Sequence, residues 1–351
     1  MRQRVRYLTT SDRVHLAWAE TGSGPTLVKP SNWLTHLEYD WESPVWRHWM
    51  SFLGEHFRFI RYDERGSGMS DWHIGDLSPA RWLEDLTSVI DEAGVRAPLI
   101  LLGISQGAGT AISYAASHPE RVSQLILYGG YARGWAQRGN PDTEQFYRAM
   151  LELMRHGWSS DNPVFRQVFT SRFIPGASEV QLGWFNDLCR RTTSAEIAVK
   201  LLEARGGMAV TGLLPMIRVP TLVLHAREDD VVPVEEGRLI ASEIPDASFV
   251  ELDSPNHILL EHEPAWQTFQ DRVLEFTGLR HGHTPPLTDL SRREREIFDG
   301  ITAGLTNAQI AERLHISEKT VRNHVSHLFD KLGVRSRAQA IVLAHDQGFY
   351  D

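Results

Sequence analysis

Residues 103–107 read G-I-S-Q-G, a serine between two glycines. They follow the apolar run PLILLG (98–103) and precede the helix-like GTAISYAASH (109–118). A serine hydroxyl attacks a carbonyl only when a base takes its proton, and that base needs a third group to hold it in the right tautomer. The chain offers both further along. REDDVVP (227–233), after the apolar PTLVLHA (220–226), holds the carboxylates Glu228, Asp229 and Asp230; SPNHILLEHEP (254–264), after SFVELD (248–253), holds histidine. A serine, a carboxylate and a histidine, each just past an apolar run, are the parts of a hydrolytic acyl-transfer site. Taken singly, each is as easily a surface-loop residue.

Such parts must be positioned by a sheet. The apolar runs 57–62, 98–103, 123–129, 220–226 and 248–253 alternate with amphipathic stretches, the pattern of a parallel sheet with crossover helices. One of those stretches opens at Ser78-Pro79, an N-cap followed by proline at the first helical position, and runs to about Ala93. The long interruption 131–214 is helical in pattern and rich in aromatics, among them Trp135, Trp158, Phe169, Phe173 and Phe185. It is read as an inserted helical layer that buries its own face and can serve as a lid over a ligand pocket.

At 351 residues and 42% hydrophobic content the chain is long enough for two domains with real cores. Its single cysteine, Cys189, rules out an internal disulfide framework, and no stretch approaches the ~18 apolar residues of a membrane span. Together with an N-terminus lacking an apolar leader, this reads as a soluble cytoplasmic protein. Glycine and two prolines in GLRHGHTPP mark a linker at 278–286. His281 and His283 within it have no cysteine or carboxylate beside them, so no metal site and no cofactor is expected. The net charge of −9 lies on the residues before the last 68, where nine basic residues balance nine acidic ones. Within 313–337, six basic residues against two acidic make a local +4 patch that can neutralise phosphates.

The strand, G-x-S-x-G and helix of the first part resemble the nucleophile elbow of the α/β-hydrolase fold. The resemblance extends over about residues 5–277 and implies the order Ser, Asp, His. REDDVVP is similar to that family's acid loop and points to Asp229 ahead of Asp230 and Glu228; SPNHILL is similar to the loop bearing the catalytic His257. YDERGSGMSDW (62–72) resembles the D-x-R-G-x-G-x-S loop, with Asp63, Arg65, Gly66, Gly68 and Ser70 bracing the site. There is one departure. Where these hydrolases usually have His-Gly after the third strand, TLVKPSNWLTH (26–36) has Pro30-Ser31. Asn32 then falls at one oxyanion-donor position, and Gln106, after the serine, supplies the other.

The last part carries its own pattern. Leu290, Ile297 and Ile301 give a helix one apolar face, stopped by Gly304. Thr306 caps a short helix bearing Ile310, Ala311 and Leu314; His315-Ile316 turns the chain; Ser317 caps a third helix. Val321, Val325, Leu328 and Leu332 form its buried stripe, while Lys319, Arg322, Asn323 and Ser326 point away and can hydrogen-bond base edges and phosphates. Residues 287–351 resemble the LuxR-type helix-turn-helix. That resemblance implies base reading by Arg322, Asn323 and Ser326, phosphate contacts by Lys319, Thr320 and Arg337, and dimerisation through a fourth helix over 336–345.

The expected architecture is therefore an α/β-hydrolase domain (1–277, lid about 131–214), a linker (278–286) and an all-α four-helix DNA-binding domain (287–351). The expected function is a homodimeric, double-stranded-DNA-binding transcription regulator whose hydrolase-like domain senses a small ester or lactone under the lid. The alternative is a competent esterase or lactonase with a regulatory DNA-binding appendage.

Overall fold

The computed structural model describes residues 3–73, 75–96, 98–279 and 290–332, and positions 337, 340, 341 and 344 individually. The chain forms two compact units, Met1–Val273 and Leu274–Asp351. The expected linker falls, from residue 280 onward, outside the described residues.

The first unit is built on one eight-stranded sheet. Strands β1 (Arg4–Thr9), β2 (His15–Thr21), β3 (Thr26–Lys29), β4 (Arg58–Tyr62), β5 (Leu99–Ile104), β6 (Val122–Tyr128), β7 (Thr221–Ala226) and β8 (Ser248–Leu252) lie in the order 1-2-4-3-5-6-7-8. The pairs β1–β2 and β2–β4 are antiparallel and the rest are parallel. Every residue of β5 and β7 is buried, because helices cover both faces of a parallel sheet; this is why both read as unbroken apolar runs.

The crossovers are α2 (Arg47–His56), α3 (Pro79–Glu92), α4 (Gly107–Ser117) and α9 (Val234–Glu243), preceded by the short α1 (Leu37–Trp41); α10 (Pro264–Thr277) closes the unit. Ser78 caps α3 through Arg81 N–H, with Pro79 in the first turn, as its sequence predicts. The interruption over 131–214 forms the helices α5 (Pro141–Gly157), α6 (Val164–Phe173), α7 (Glu179–Thr192) and α8 (Ala195–Gly206).

The second unit holds α11 (Arg292–Thr302), α12 (Asn307–Leu314) and α13 (Glu318–Leu332) around Leu290, Ile297, Phe298, Ile301, Ile310, Val321, Leu328 and Leu332. Ser291 with Glu294 and Thr306 with Gln309 form capping boxes. Gly304 has φ +77° just past α11, and His315 ends α12 at φ +53°, so both helices stop in left-handed turns. Ala340 and Ala344 are buried in the same core; the rest of the expected fourth helix is described only at Arg337 and Ile341.

Candidate active site and DNA-binding surface

The chemistry gathers where strands β3, β5, β7 and β8 end. β5 runs straight into α4, and Ser105 at the junction is held at φ +51°, a conformation costly for a residue with a Cβ. Ser105 N–H donates to Tyr128 O at 2.9 Å and its carbonyl accepts from Ala108 N–H at 3.1 Å, locking the turn. The turn is too tight for side chains on either side. A Cβ on Gly103 would lie 2.7 Å from Ala108 Cα, and one on Gly107 3.0 Å from Pro30 O.

His257 Nε2 lies 2.8 Å from Ser105 Oγ, and its Nδ1 lies 2.6 Å from Asp229 Oδ2. Asp229 Oδ1 accepts from Val231 and Val232 N–H at 2.8 and 2.9 Å. Asp230 and Glu228, the other acids of that loop, make no such contact with His257. Burial works against the charge on Asp229, but His257 and these donors outweigh it and hold the carboxyl below its ordinary range. Ser105, Asp229 and His257 are all buried. A serine, an imidazole and a carboxylate in series at these distances can pass a proton from hydroxyl to imidazole as the oxygen attacks a carbonyl.

The His257 loop is braced from two sides. Glu263 accepts from Ser254 Oγ at 2.5 Å and from Asn256 Nδ2 at 3.2 Å. From the end of α6 and the loop after it, Gly176 N–H donates to Asn256 Oδ1 at 2.9 Å, and Phe173 O accepts from Ile258 N–H at 3.2 Å. Phe173 sets its ring edge-on to His257, with 5.3 Å between centroids. Beyond it Phe169, Phe185, Trp158 and Trp33 make a continuous set of ring contacts, so the surroundings of the histidine are aromatic.

The two oxyanion candidates lie on segments joined to each other by the hydrogen bond from Trp33 N–H to Gln106 Oε1. Asn32 and Gln106 are buried, and neither backbone N–H has an acceptor among the described residues. Their side chains are engaged. Asn32 Oδ1 accepts from Lys29 Nζ at 2.5 Å, Asn32 Nδ2 donates to Trp33 O, and Trp33 N–H donates to Gln106 Oε1 at 3.1 Å. The loop after β4 braces this region. Asp63 Oδ2 accepts from Leu37 and Met69 N–H, Ser70 Oγ donates to Asp63 O, and buried Arg65 pairs with Asp85 and Asp12.

Sequence reasoning passed over three groups here. His225, four residues before Asp229 and inside an apolar strand, puts Nε2 2.9 Å from Val232 O and 3.6 Å from Asp229 Oδ2. Glu64 meets Arg205 of α8 at 2.7 Å, and Arg205 also donates to Gln106 O and lies 3.4 Å over the Trp82 ring. Lys29 is the third. Each is a polar residue within an apolar or glycine-rich context, and that mismatch is the signal that could have found them.

On the second unit, Ser317 Oγ accepts from Thr320 N–H at 3.1 Å and caps α13. Lys319, Arg322, Asn323 and Ser326 are exposed along one side of that helix, opposite buried Val321 and Leu328. Thr320 is half-buried against Ser317. Arg337 is half-buried and donates to Leu305 O and Asn307 Oδ1, so it ties its segment to the start of α12. No group of metal-ligating side chains occurs among the described residues, and none of the described helices is long and apolar enough to cross a membrane.

Comparison with known proteins finds two separate matches along the chain. Residues 49–265 match the family described as serine aminopeptidase, S33, and residues 288–344 match the bacterial regulatory proteins of the luxR family. The 3-oxoadipate enol-lactonase 2 of Acinetobacter baylyi is 25% identical over 271 residues, 75% of this chain and 93% of that protein. A hydrolase from Pseudomonas aeruginosa of known crystal structure is 25% identical with a TM-score of 0.65, covering 78% of this chain and 98% of that one. The transcriptional regulatory protein DegU of Brevibacillus brevis is 47% identical over 64 residues, which are 18% of this chain and 27% of DegU. That likeness is confined to the DNA-binding part.

Proposed function

The chain belongs to the serine aminopeptidase S33 family of α/β-hydrolases and carries a LuxR-type helix-turn-helix domain at its C-terminus, and we propose that it is a DNA-binding transcription regulator whose input is a small ester or lactone bound, and cleaved, at Ser105. One observation carries the hydrolytic half: Ser105, His257 and Asp229 stand in hydrogen-bonded series at 2.8 and 2.6 Å, with the serine in the strained elbow conformation. A site kept only for binding has no need of that series.

In the reaction, Ser105 Oγ attacks the carbonyl carbon while His257 Nε2 takes its proton. Asp229 holds the Nδ1–H tautomer and stabilises the imidazolium. The N–H groups of Asn32 and Gln106 receive the developing oxyanion. His257 returns the proton to the leaving oxygen, and water then releases the acyl group by the same path. The aromatic surroundings favour an apolar acyl part, and the lactonase among the relatives fits a ring-opening substrate.

The regulatory half rests on the exposed Lys319, Arg322, Asn323 and Ser326, with Thr320 and Arg337 supporting the helix at the phosphate backbone. Two protomers would present two such helices to paired half-sites. Hydrolysis of p-nitrophenyl butyrate by the full chain tests the first half. Turnover that disappears in Ser105→Ala is expected; turnover unchanged by that substitution, or none in either protein, overturns it. A gel shift on DNA from upstream of the coding region tests the second, with binding expected for the wild type and weakened, with relaxed sequence preference, in Arg322→Ala; no binding by the wild type overturns it.

A further inference from the structure

The departure from His-Gly after β3 leaves a question of how the oxyanion loop keeps its shape, and the buried charge beneath it supplies an answer. Lys29, the last residue of β3, is 2% exposed. Its surroundings hold Arg61 on β4, Asp63 and Glu64 in the loop after β4, and Asp40 on α1. Each of those carboxylates has an oxygen engaged elsewhere, while Asp40 Oδ1 and Asp63 Oδ1 have no hydrogen-bond partner among the described residues. Asp40 pairs with Arg61 at 3.1 Å, Glu64 pairs with Arg205 at 2.7 Å, and Asp63 Oδ2 accepts two backbone N–H groups. The hydrogen bond that Lys29 makes among the described residues goes to Asn32 Oδ1 instead. A buried ammonium whose bond goes to a neutral amide is an expensive arrangement, and such groups concentrate at functional sites.

We propose that Lys29 is a positioning residue for the oxyanion loop, anchoring a hydrogen-bond chain, Lys29 to Asn32 to Trp33 to Gln106, that holds both backbone donors where the reaction needs them. An ammonium can only donate, so it fixes which way the Asn32 amide faces. Asn32 Nδ2 then donates to Trp33 O, and Trp33 N–H donates to Gln106 Oε1. The strand end and the elbow are thus joined through the two residues whose own N–H groups lack an acceptor among the described residues. The chain does the work of the missing His-Gly turn without using a glycine. Burial and then Arg61 push the Lys29 ammonium down to about 8, against the pull of Asp40, Asp63 and Glu64. The positioning charge is therefore present at neutral pH and fades as pH rises through that value.

This inference rests on the hydrolytic reading above, and the test separates the two. In the full chain, Lys29→Met is expected to lower kcat for p-nitrophenyl butyrate by about 10²-fold, the cost of an ill-placed oxyanion donor, with KM little changed. Affinity for a trifluoromethyl ketone, which forms the tetrahedral adduct, should fall by the same factor, while affinity for the matching methyl ketone should hold. The wild-type kcat should decline above about pH 8 and the variant's should not. Wild-type kcat and trifluoromethyl ketone affinity in a folded Lys29→Met protein overturn the proposal. If that variant does not fold, Gln106→Met removes Oε1 but keeps the N–H, and must show the same split; an unchanged kcat there also overturns it. Turnover that survives in Ser105→Ala indicts the hydrolytic reading itself instead.

Discussion

Asp229 receives four polar groups: two backbone N–H donors on Oδ1, His257 on Oδ2 at 2.6 Å, and His225 at 3.6 Å. Its work is to hold the His257 tautomer, so Asp229→Asn should lower kcat by about 10⁴-fold with the fold intact, measured by steady-state ester hydrolysis against the unfolding midpoint. His225 acts on the same carboxylate from behind. Burial lowers its pKa, against the pull of Asp229, and its Nε2–H donates to Val232 O beside Asp229. Lys29 carries a prediction of the opposite kind. Its folded pKa of about 8 lies below the ordinary 10.5, so between these values the unfolded chain binds more protons. Stability from this group must then rise with pH over that window. Urea midpoints at pH 8 and pH 10 should show a gain in the wild type that Lys29→Met lacks. At this scale the serine, acid and histidine could be read from motifs because each follows an apolar strand in order. Lys29 and His225 could not, because their meaning lies in what is packed against them.

The elements that carry the site are held to it by few, strong contacts. Arg205 of α8 reaches across to Glu64 and to the elbow carbonyl of Gln106, with both charged side chains buried. Glu64→Gln leaves the guanidinium without its partner and should cost about 3 kcal/mol, read as a lower denaturation midpoint of the hydrolase unit. The paired replacement Glu64→Leu with Arg205→Met should recover most of it. On the other unit, Ser317→Ala removes the cap of α13 and should cost about 1 kcal/mol, while Ser317→Asp should restore it, followed by the same method. Strands β4 to β7 were legible because burial on both faces makes near-continuous apolar runs, and β8 because it keeps an apolar run although only Leu252 in it is fully buried. β1 and β2 were not, since β1 is a largely exposed edge strand with a mixed pattern, and only Leu8 in it is buried. Within the DNA-binding unit the caps at Thr306 and Ser317 and the stop at Gly304 were legible, because Thr, Ser and a left-handed glycine mark helix ends by local chemistry alone, whereas the Ser291 cap of α11 was not singled out.

For the molecule as a whole, the charge is −9 while residues 313–337 carry a net +4, so on the proposed function DNA is held through that basic segment of an otherwise acidic chain. Lys319→Ala should weaken binding evenly across sequences and reduce the salt slope by about 1. Arg322→Ala should instead relax sequence preference, costing about 1–3 kcal/mol at one base pair. Both can be read from gel shifts across a salt series. On the proposed function, the chemical state of Ser105 sets the DNA affinity carried by Arg322. It is tested most directly by treating the full chain with diethyl p-nitrophenyl phosphate, verifying a single diethylphosphoryl group on Ser105 by mass, and titrating upstream DNA before and after. Occupying the hydrolase site should change the affinity by at least about fivefold, the lower end of ordinary coupling between sites, and Ser105→Ala, which cannot be labelled, should show no change on treatment. Equal affinity for labelled and unlabelled wild-type protein would mean that the hydrolase site does not control DNA binding.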